Sequence, residues 1–432
     1  MVARRRGVVA ELLTTLLAIL ALLGASLVAA GCHSHAPTPV TTTGAGMASI
    51  STSAQPGTSP SATNSFFYPT LTAYGKDLFL SWTTGGSDNL HCLDKDAHER
   101  WSVSLGGYYP LEFSTSPDVS RAVVLATNSP AEPTVDLLFL VDEVSRAPEV
   151  TMLRDLQRGA YMAPEVRLSR DGSKVAMLLS PEDPSSGASA VAANVEIMDG
   201  TGNTLWQHAL PEGRWVRSWA VDSQLRTVAV LLDSPVIDGT RKQAEQVRIF
   251  RDSPLLQTLD LAFAGSIDLS PDGQSLAVIT SEMLASGPGK VELYTVGGDA
   301  RPRWSASLPA WATSATFIND GTVLMVEGGI VFSGPRQTHL LFLSSSDGRM
   351  IWSPPSRSVV IGTFATSAYA SKLAFWGVSD LGKAGVTMID FGAPTPATKD
   401  LGADNGMLIL SNDCTTALAI DDKGQIVPLH LP

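Results

Sequence analysis

The chain has 432 residues, 42 acidic against 30 basic side chains, a formal net charge of −12, and 44% hydrophobic against 17% charged residues. That apolar fraction excludes a disordered chain, and the length exceeds what one ordinary domain needs. The acid excess argues against a nucleic-acid partner, which would require clustered Lys and Arg, and three cysteines are too few for a disulfide-dense scaffold or a four-thiolate metal site.

Residues 1–31 hold Arg4, Arg5 and Arg6 against Glu11 alone, so removing them leaves 27 basic and 41 acidic side chains and a charge of −14. The arginines precede Leu12–Ala30, an uncharged apolar stretch that as a helix reaches ~28 Å, close to the hydrocarbon thickness of a bilayer. A basic head before an apolar run is the pattern of an export signal, with the arginines on the cytoplasmic side. Two readings fit: an uncleaved signal anchor, and a signal peptide cut before Cys32. The run ends Leu27-Val28-Ala29-Ala30-Gly31-Cys32 and resembles the lipobox of bacterial lipoproteins, with Ala29 where Leu is usual. The resemblance implies that Cys32 is acylated and that lipid holds the protein on the membrane, since two or more chains anchor stably where one does not. Both readings place the remainder on the extracytoplasmic side, in a periplasm or at the cell surface.

Residues 32–64 form the lipidated Cys and a linker. From His33 to Asn64, 25 of 32 residues are Ser, Thr, Pro, Ala or Gly and none is charged, so the segment reads as a flexible tether with a span of roughly 30 Å. His33 and His35 have no third ligand nearby, and no metal site is expected from them.

From residue 65 to 432 short apolar runs alternate with turn residues. VRLSRDGSKVAM (166–177), IDLSPDGQSLAV (267–278) and ATFINDGTVLM (315–325) repeat one pattern, with looser copies at 113, 219, 364 and 408. Each is an apolar strand, an Asp-containing tight turn and a second strand, which is a strong hairpin signal. Third strands follow at Leu90–Leu93, Leu137–Leu140, Val195–Met198, Val247–Phe250, Val291–Tyr294, Leu340–Leu343 and Val386–Ile389, and Trp101, Trp206, Trp304 and Trp352 open fourth strands. Units of four strands at a period of ~40–50 residues predict an all-β fold, a β-propeller of four-stranded blades. Eight blades are counted, alternatively seven if 105–165 is parsed differently. The last, from Met407, has room for three strands, and a strand around Ser65–Phe67 is expected to close the ring.

The turn between third and fourth strands, in MDGTGNTLW (198–206) and SSSDGRMIW (344–352), resembles the repeat of pyrroloquinoline-quinone-like propellers, and the Ser-Pro-Asp-Gly hairpins are equally similar to those of WD-type and TolB-type propellers. The resemblance covers nearly all of 65–432 and implies tryptophans packed between blades. Quinone-dependent members hold their cofactor with adjacent cysteines, a stacking Trp and an axial calcium; this chain has no adjacent cysteines, which implies a non-enzymatic relative. Lipoproteins with such propellers include an outer-membrane assembly factor that binds a partner by its loops.

Catalytic motifs are absent from the sequence: there is no nucleophile elbow, His-Glu-x-x-His, phosphate loop or EF-hand. No catalytic, metal or cofactor-binding residue is therefore named, and no cofactor is expected. Asp171, Asp272 and Asp320 precede Gly in hairpins and read as turn caps, and His91, His98, His208, His339 and His430 read as strand and surface positions. Cys92 and Cys414 fall in the first and last blades, where a disulfide would clamp the closure; two buried thiols are the alternative. The leading expectation is a monomeric, membrane-anchored scaffold binding a protein or envelope ligand through loops such as 181–190 and 233–245. The alternatives are a quinone-dependent dehydrogenase or other enzyme using the central funnel, and a solute sensor.

Overall fold

The computed structural model describes residues 70–430, apart from the connecting segments 75–77, 83–89, 117–119, 129–134, 145–146, 158–163, 181–191, 234–235, 238–239, 242–244, 281–288, 309–311, 331–336, 354–359, 367–371, 379–383, 392–396, 401–406, 412–415 and 421–425, and residues 213 and 263. The signal, Cys32, the tether, the Ser65–Phe67 strand, Cys414 and loop 181–190 lie outside the described residues. Among the described residues every regular element is a strand, and no helix is long and apolar enough to cross a membrane.

The strands are antiparallel and join their neighbours in chain order. Thr70–Tyr74, Leu78–Trp82, Leu90–Asp94 and Glu99–Val103 form the first sheet. Four-stranded sheets follow over residues 109–157, 165–209, 215–261 and 266–308. Residues 312–352 and 360–400 form two further four-stranded units, joined by one pair between Thr338 and Ile361, and Met407–Leu410, Thr416–Ile420 and Ile426–His430 make a three-stranded last sheet. The region 105–165 thus holds a complete sheet, with the longest strands of the molecule, Val135–Val144 and Ala147–Gln157. Each expected third strand is a third strand, and the four tryptophans lie in fourth strands. The architecture is a β-propeller, with the first strand of each blade innermost.

Its core lies between blades rather than at a centre. Ala122, Val124 and Ala126 pack with Leu80, Cys92 and Trp101 of the first blade, while Val123 and Leu125, one residue out of phase, pack with Val166, Val175 and Met177 of the third. A second strand buried on both faces must be apolar at every position, which is why RAVVLAT, TVAVLLD and SLAVIT show no alternation. The same arrangement links the third to the fourth blade and each successive pair as far as the seventh. Phe79 and Leu93 of the first blade meet Leu418 of the last, which brings the ends of the ring together.

Two irregularities recur. The pairing of third and fourth strands slips by one residue in six blades, near the turn in five of them, for example at Ile197/Met198, Ile249/Phe250 and Leu293/Tyr294, and mid-strand at Leu138/Phe139. A second bulge interrupts the innermost strand at Pro110/Glu112, Val216/Ser218 and Ala312/Ser314, leaving Leu111, Arg217 and Thr313 as the extra residues. Bulges of this kind bend the strand and re-aim a side chain.

Candidate functional site: the axial channel and its loop face

Because consecutive strands are antiparallel, connections alternate between the two faces of the ring. On one face the connections are short, six residues at most. On it the Asp-Gly hairpins interlock: Arg170 N–H donates to the Ser223 carbonyl at 2.7 Å, and Ser223 N–H to that of Pro271 at 3.0 Å. Asp171 Oδ1 accepts Ser173 N–H at 3.0 Å and Asp272 Oδ1 accepts Gln274 N–H at 3.0 Å, so both cap their turns as their sequence pattern implies. Asp320 differs. It adopts a φ of 52° and its carboxylate lies 3.5 Å from Arg170 Nη1. These residues belong to the third and sixth blades and can meet only across the axis, so the pair narrows the channel at the tight-turn end.

The opposite face carries the long connections, 180–193 and 234–244 being the longest. Part of the second folds back as a small hairpin, Val236–Ile237 against Thr240–Arg241. Its flanks are not free loop, as the sequence pattern suggests: Asp233 and Glu245 both hold Arg217, which donates to the Ala264 carbonyl at 2.8 Å, and Glu245 is buried. Trp215 and Leu111 stand exposed on this side.

Between the faces, the inner strands run side by side, and their edge N–H groups lack a strand partner. Side chains of the preceding blade supply the acceptors, as buried backbone donors require. Val166 N–H lies 3.3 Å from Glu112 Oε2, Leu168 N–H donates to Ser114 Oγ at 2.8 Å, Ile267 N–H lies 3.4 Å from Ser218 Oγ, and Phe317 N–H donates to Asp268 Oδ2 at 2.7 Å. In the channel wall Arg167 gathers its neighbours: Nη1 meets Glu112 Oε1 at 2.6 Å, Glu165 stands at 3.7 Å, and the guanidinium lies 5.6 Å from the centre of the Trp219 ring. Trp219 in turn donates its indole N–H to Glu165 at 2.7 Å. Burial raises the Glu112 carboxyl above its ordinary range, and the Arg167 charge pulls it back. Burial pushes Asp268 up to about 7, against the Phe317 and Leu269 N–H groups and Arg167. Glu112 and Glu165 thus share one guanidinium, and Asp268 has no ion-pair partner among the described residues.

The residues singled out in the sequence fall elsewhere. Cys92 is buried in the core between first and second blades, whereas Leu93 beside it faces the last blade. His91 pairs with Glu99 at 3.0 Å, and His208 stacks on Phe250 at 4.7 Å. Asp94, Asp96 and His98 bring ligand atoms within 4.8 Å of one another, a group the sequence reading passed over. Asp94 Oδ1 already accepts the N–H groups of Asp96 and His98, both at 2.9 Å, and so serves as the cap of the turn. The axial residues that the sequence did not reveal come one or two from each repeat, about 50 positions apart, where each reads as a solvated strand residue.

A ring of antiparallel sheets, closed by apolar seams between neighbouring blades, defines the class: the chain is a β-propeller. More particularly, residues 189–392 match the profile described as outer membrane protein assembly factor BamB. No curated protein matches the sequence. Similar solved structures include one described as the eukaryotic initiation factor, at 12% identity and a TM-score of 0.51 over 85% of this chain and 87% of that one, which attests fold alone. Others are the Dos1 propeller, at 12% and 0.49 over 87% and 95%, and the propeller domain of the Trilobed protease from Pyrococcus furiosus, at 12% and 0.45 over 74% and 94%.

Proposed function

We propose that this protein is an envelope-anchored, non-catalytic propeller scaffold that holds a protein or envelope ligand on its loop face, with lipid on Cys32. The observation that carries this reading is the division of the ring into two unlike faces. The tight-turn face is interlocked and crossed by Arg170–Asp320, while the face with all the long connections exposes Trp215 and Leu111. Exposed aromatic and aliphatic side chains beside long loops are what a recognition surface needs. The match to an outer-membrane assembly factor supports an envelope location and a role in holding other proteins.

The quinone alternative finds poor chemical support. A quinone with its calcium needs free axial carboxylates, yet Glu112 and Glu165 are engaged by Arg167, and Cys92 lies between blades rather than on the axis. These residues do not fit that cofactor.

The deciding experiment is a crosslinking pull-down from intact membranes, comparing the wild type with Trp215→Ala and Leu111→Ser on the loop face and Leu205→Ser on the rim. One partner recovered by the wild type and Leu205→Ser but lost with the loop-face changes is expected. Equal recovery by all four, or measurable substrate turnover by the purified protein, overturns the reading.

A further inference from the structure

We propose that residues 60–66, a segment outside the described residues, complete the last blade as its outermost strand, so that the tether leaves the ring on the tight-turn side, away from the loop face. What this means for a partner rests on the anchored-scaffold reading above; the strand itself does not. Seven blades have four strands, whereas Met407–Leu410, Thr416–Ile420 and Ile426–His430 make three. Among the described residues the seam of this last blade with the first buries Phe79, Leu93 and Leu418, with Ala97 and Ile426 half-buried, where the other seams bury seven side chains or more. A strand edge beside a thin apolar seam calls for one more strand. Pro428 withdraws a donor from that edge and so discourages pairing with a second molecule, while a segment joined directly to the first blade is held there at high effective concentration.

The sequence before Thr70 carries the fourth-strand pattern in register. The outermost segments of the first and fifth blades read ERWSVSL (99–105) and PRWSASL (302–308), and their last residues, Leu105 and Leu308, are buried four positions before the next inner strands begin at Tyr109 and Ala312. Residues 60–66, PSATNSF, place Phe66 four positions before Thr70. Thr63 and Ser65 fall where those strands have Ser102 and Ser104 or Ser305 and Ser307, and Ala62 takes the place of the tryptophan. The connection left over, 67–69, is as long as 309–311. Phe66 is thus placed to fill the closing seam as Leu105 and Leu308 fill theirs.

Strand direction then decides the exit. In the four-stranded blades the third strand passes to the fourth on the tight-turn face, and the fourth passes to the next inner strand on the loop face. Thr70 therefore starts at the loop face, and a chain reaching it unpaired would emerge among the loops. As an outermost strand, 60–66 crosses the rim from the tight-turn face to the loop face, which puts residue 59 and the tether before it at the tight-turn end. Lipid on Cys32 then holds the ring by its interlocked side and leaves the side with the long connections open to a partner.

A photo-crosslinking amino acid at Ser59 of the full-length protein in membranes reads the exit directly. Crosslinks to the tight turns 94–98 or 391–396 of the adjoining blades are expected. Crosslinks to the loop-face connections 104–108 or 401–406, or to a second copy of the chain, overturn the proposal. Hydrogen exchange gives a second reading: Phe66→Asp should lower protection along Ile426–His430 about tenfold or more, the effect of withdrawing one large apolar side chain, and leave Val323–Ile330 of the sixth blade unchanged. Equal protection along Ile426–His430 in both proteins also overturns it. Neither measurement needs a partner, so a tight-turn exit with no partner recovered upholds this proposal and removes the scaffold reading, and a loop-face exit with the partner recovered does the reverse.

Discussion

The indole N–H of Trp304, in the fifth blade, donates to the Ser345 carbonyl of the sixth at 3.0 Å, and its ring lies so close to Gly348 that a Cβ there would stand 2.6 Å from Cε3. Gly348 has a φ of 71°, in the left-handed region where a side chain is strained in any case. The same docking recurs around the rim. Gly202 sits against the Leu153 backbone of the second blade, and Leu256 of the fourth lies beside Gly297 of the fifth. Glycine in the turn and the fourth strand of the preceding blade are two halves of one contact, made by a side chain at Trp304 and Leu256 and by the backbone at Leu153.

Gly348→Ala should therefore destabilise the protein by about 2–3 kcal/mol, combining the left-handed backbone with a clash against a ring that cannot swing away. Trp304→Ala, removing a partly buried ring and its hydrogen bond, should cost about 2–4 kcal/mol. The double variant should lose less than the sum, because without the indole the new methyl meets open space. Urea unfolding of the four proteins measures the coupling, and strict additivity would disprove the contact.

Asp199 governs the turn that the sequence resemblance singled out. Its Oδ1 accepts Thr201 N–H at 2.9 Å, Thr201 Oγ1 at 2.6 Å and Asn203 N–H at 3.0 Å, and these hydrogen bonds, led by the Thr201 hydroxyl, hold its carboxyl down to about 2. A folded value below the unfolded one means that its stabilisation is present above pH ~4 and lost as pH falls through about 2. The group is open to solvent, so Asp199→Ala should cost only ~1 kcal/mol at pH 7 and close to nothing at pH 2. Chemical denaturation at both values checks the sign.

The difference between what the sequence announced and what it hid is physical. Asp171-Gly172 and Asp272-Gly273 build their hairpins from adjacent residues, so their chemistry is local and readable, as is Asp199-x-Thr201-x-Asn203. Third strands such as Leu137–Leu140 and Leu340–Leu343 stood out because burial on both faces makes them continuously apolar. The channel is another matter: Glu112, Arg167, Trp219 and Asp268 each follow a different turn, and only ring closure brings them together. Asp268 occupies the second position of an unremarkable copy of the repeat, and nothing adjacent in sequence marks it as the acceptor for the Phe317 N–H of the next blade. Asp233 and Glu245 were hidden differently, since flanking a polar stretch made them look like loop when Arg217 binds both.

Cys32→Ala offers a test of anchoring that does not depend on the propeller. If lipid is attached at this position, metabolic labelling with a fatty-acid analogue should mark the wild type and not the variant, and the variant should retain its signal and migrate as a larger species. Unlabelled wild type with unchanged mobility would leave Leu12–Ala30 as a spanning anchor, which by its length can cross the bilayer unaided.

Arg167 is the residue on which the channel's electrostatics turn, and its removal should have a pH signature. Arg167→Met keeps much of the aliphatic stem over Trp219 but withdraws the charge that meets Glu112 at 2.6 Å and Glu165 at 3.7 Å. Glu112 is already raised by burial, so losing its partner raises it further. A raised folded value means stability retained in acid and lost as pH rises, so the variant should resemble the wild type near pH 4 and fall behind at pH 8. Half-exposure of the pair limits the loss to about 1–2 kcal/mol, below that of a fully buried ion pair. Glu112→Gln in the same background should restore most of it by removing the unpaired charge while leaving an acceptor for the Val166 N–H. Thermal unfolding at pH 4 and pH 8 for the single and double variants measures this, and a loss equal at both values would show that Arg167 acts through packing on Trp219 rather than through charge.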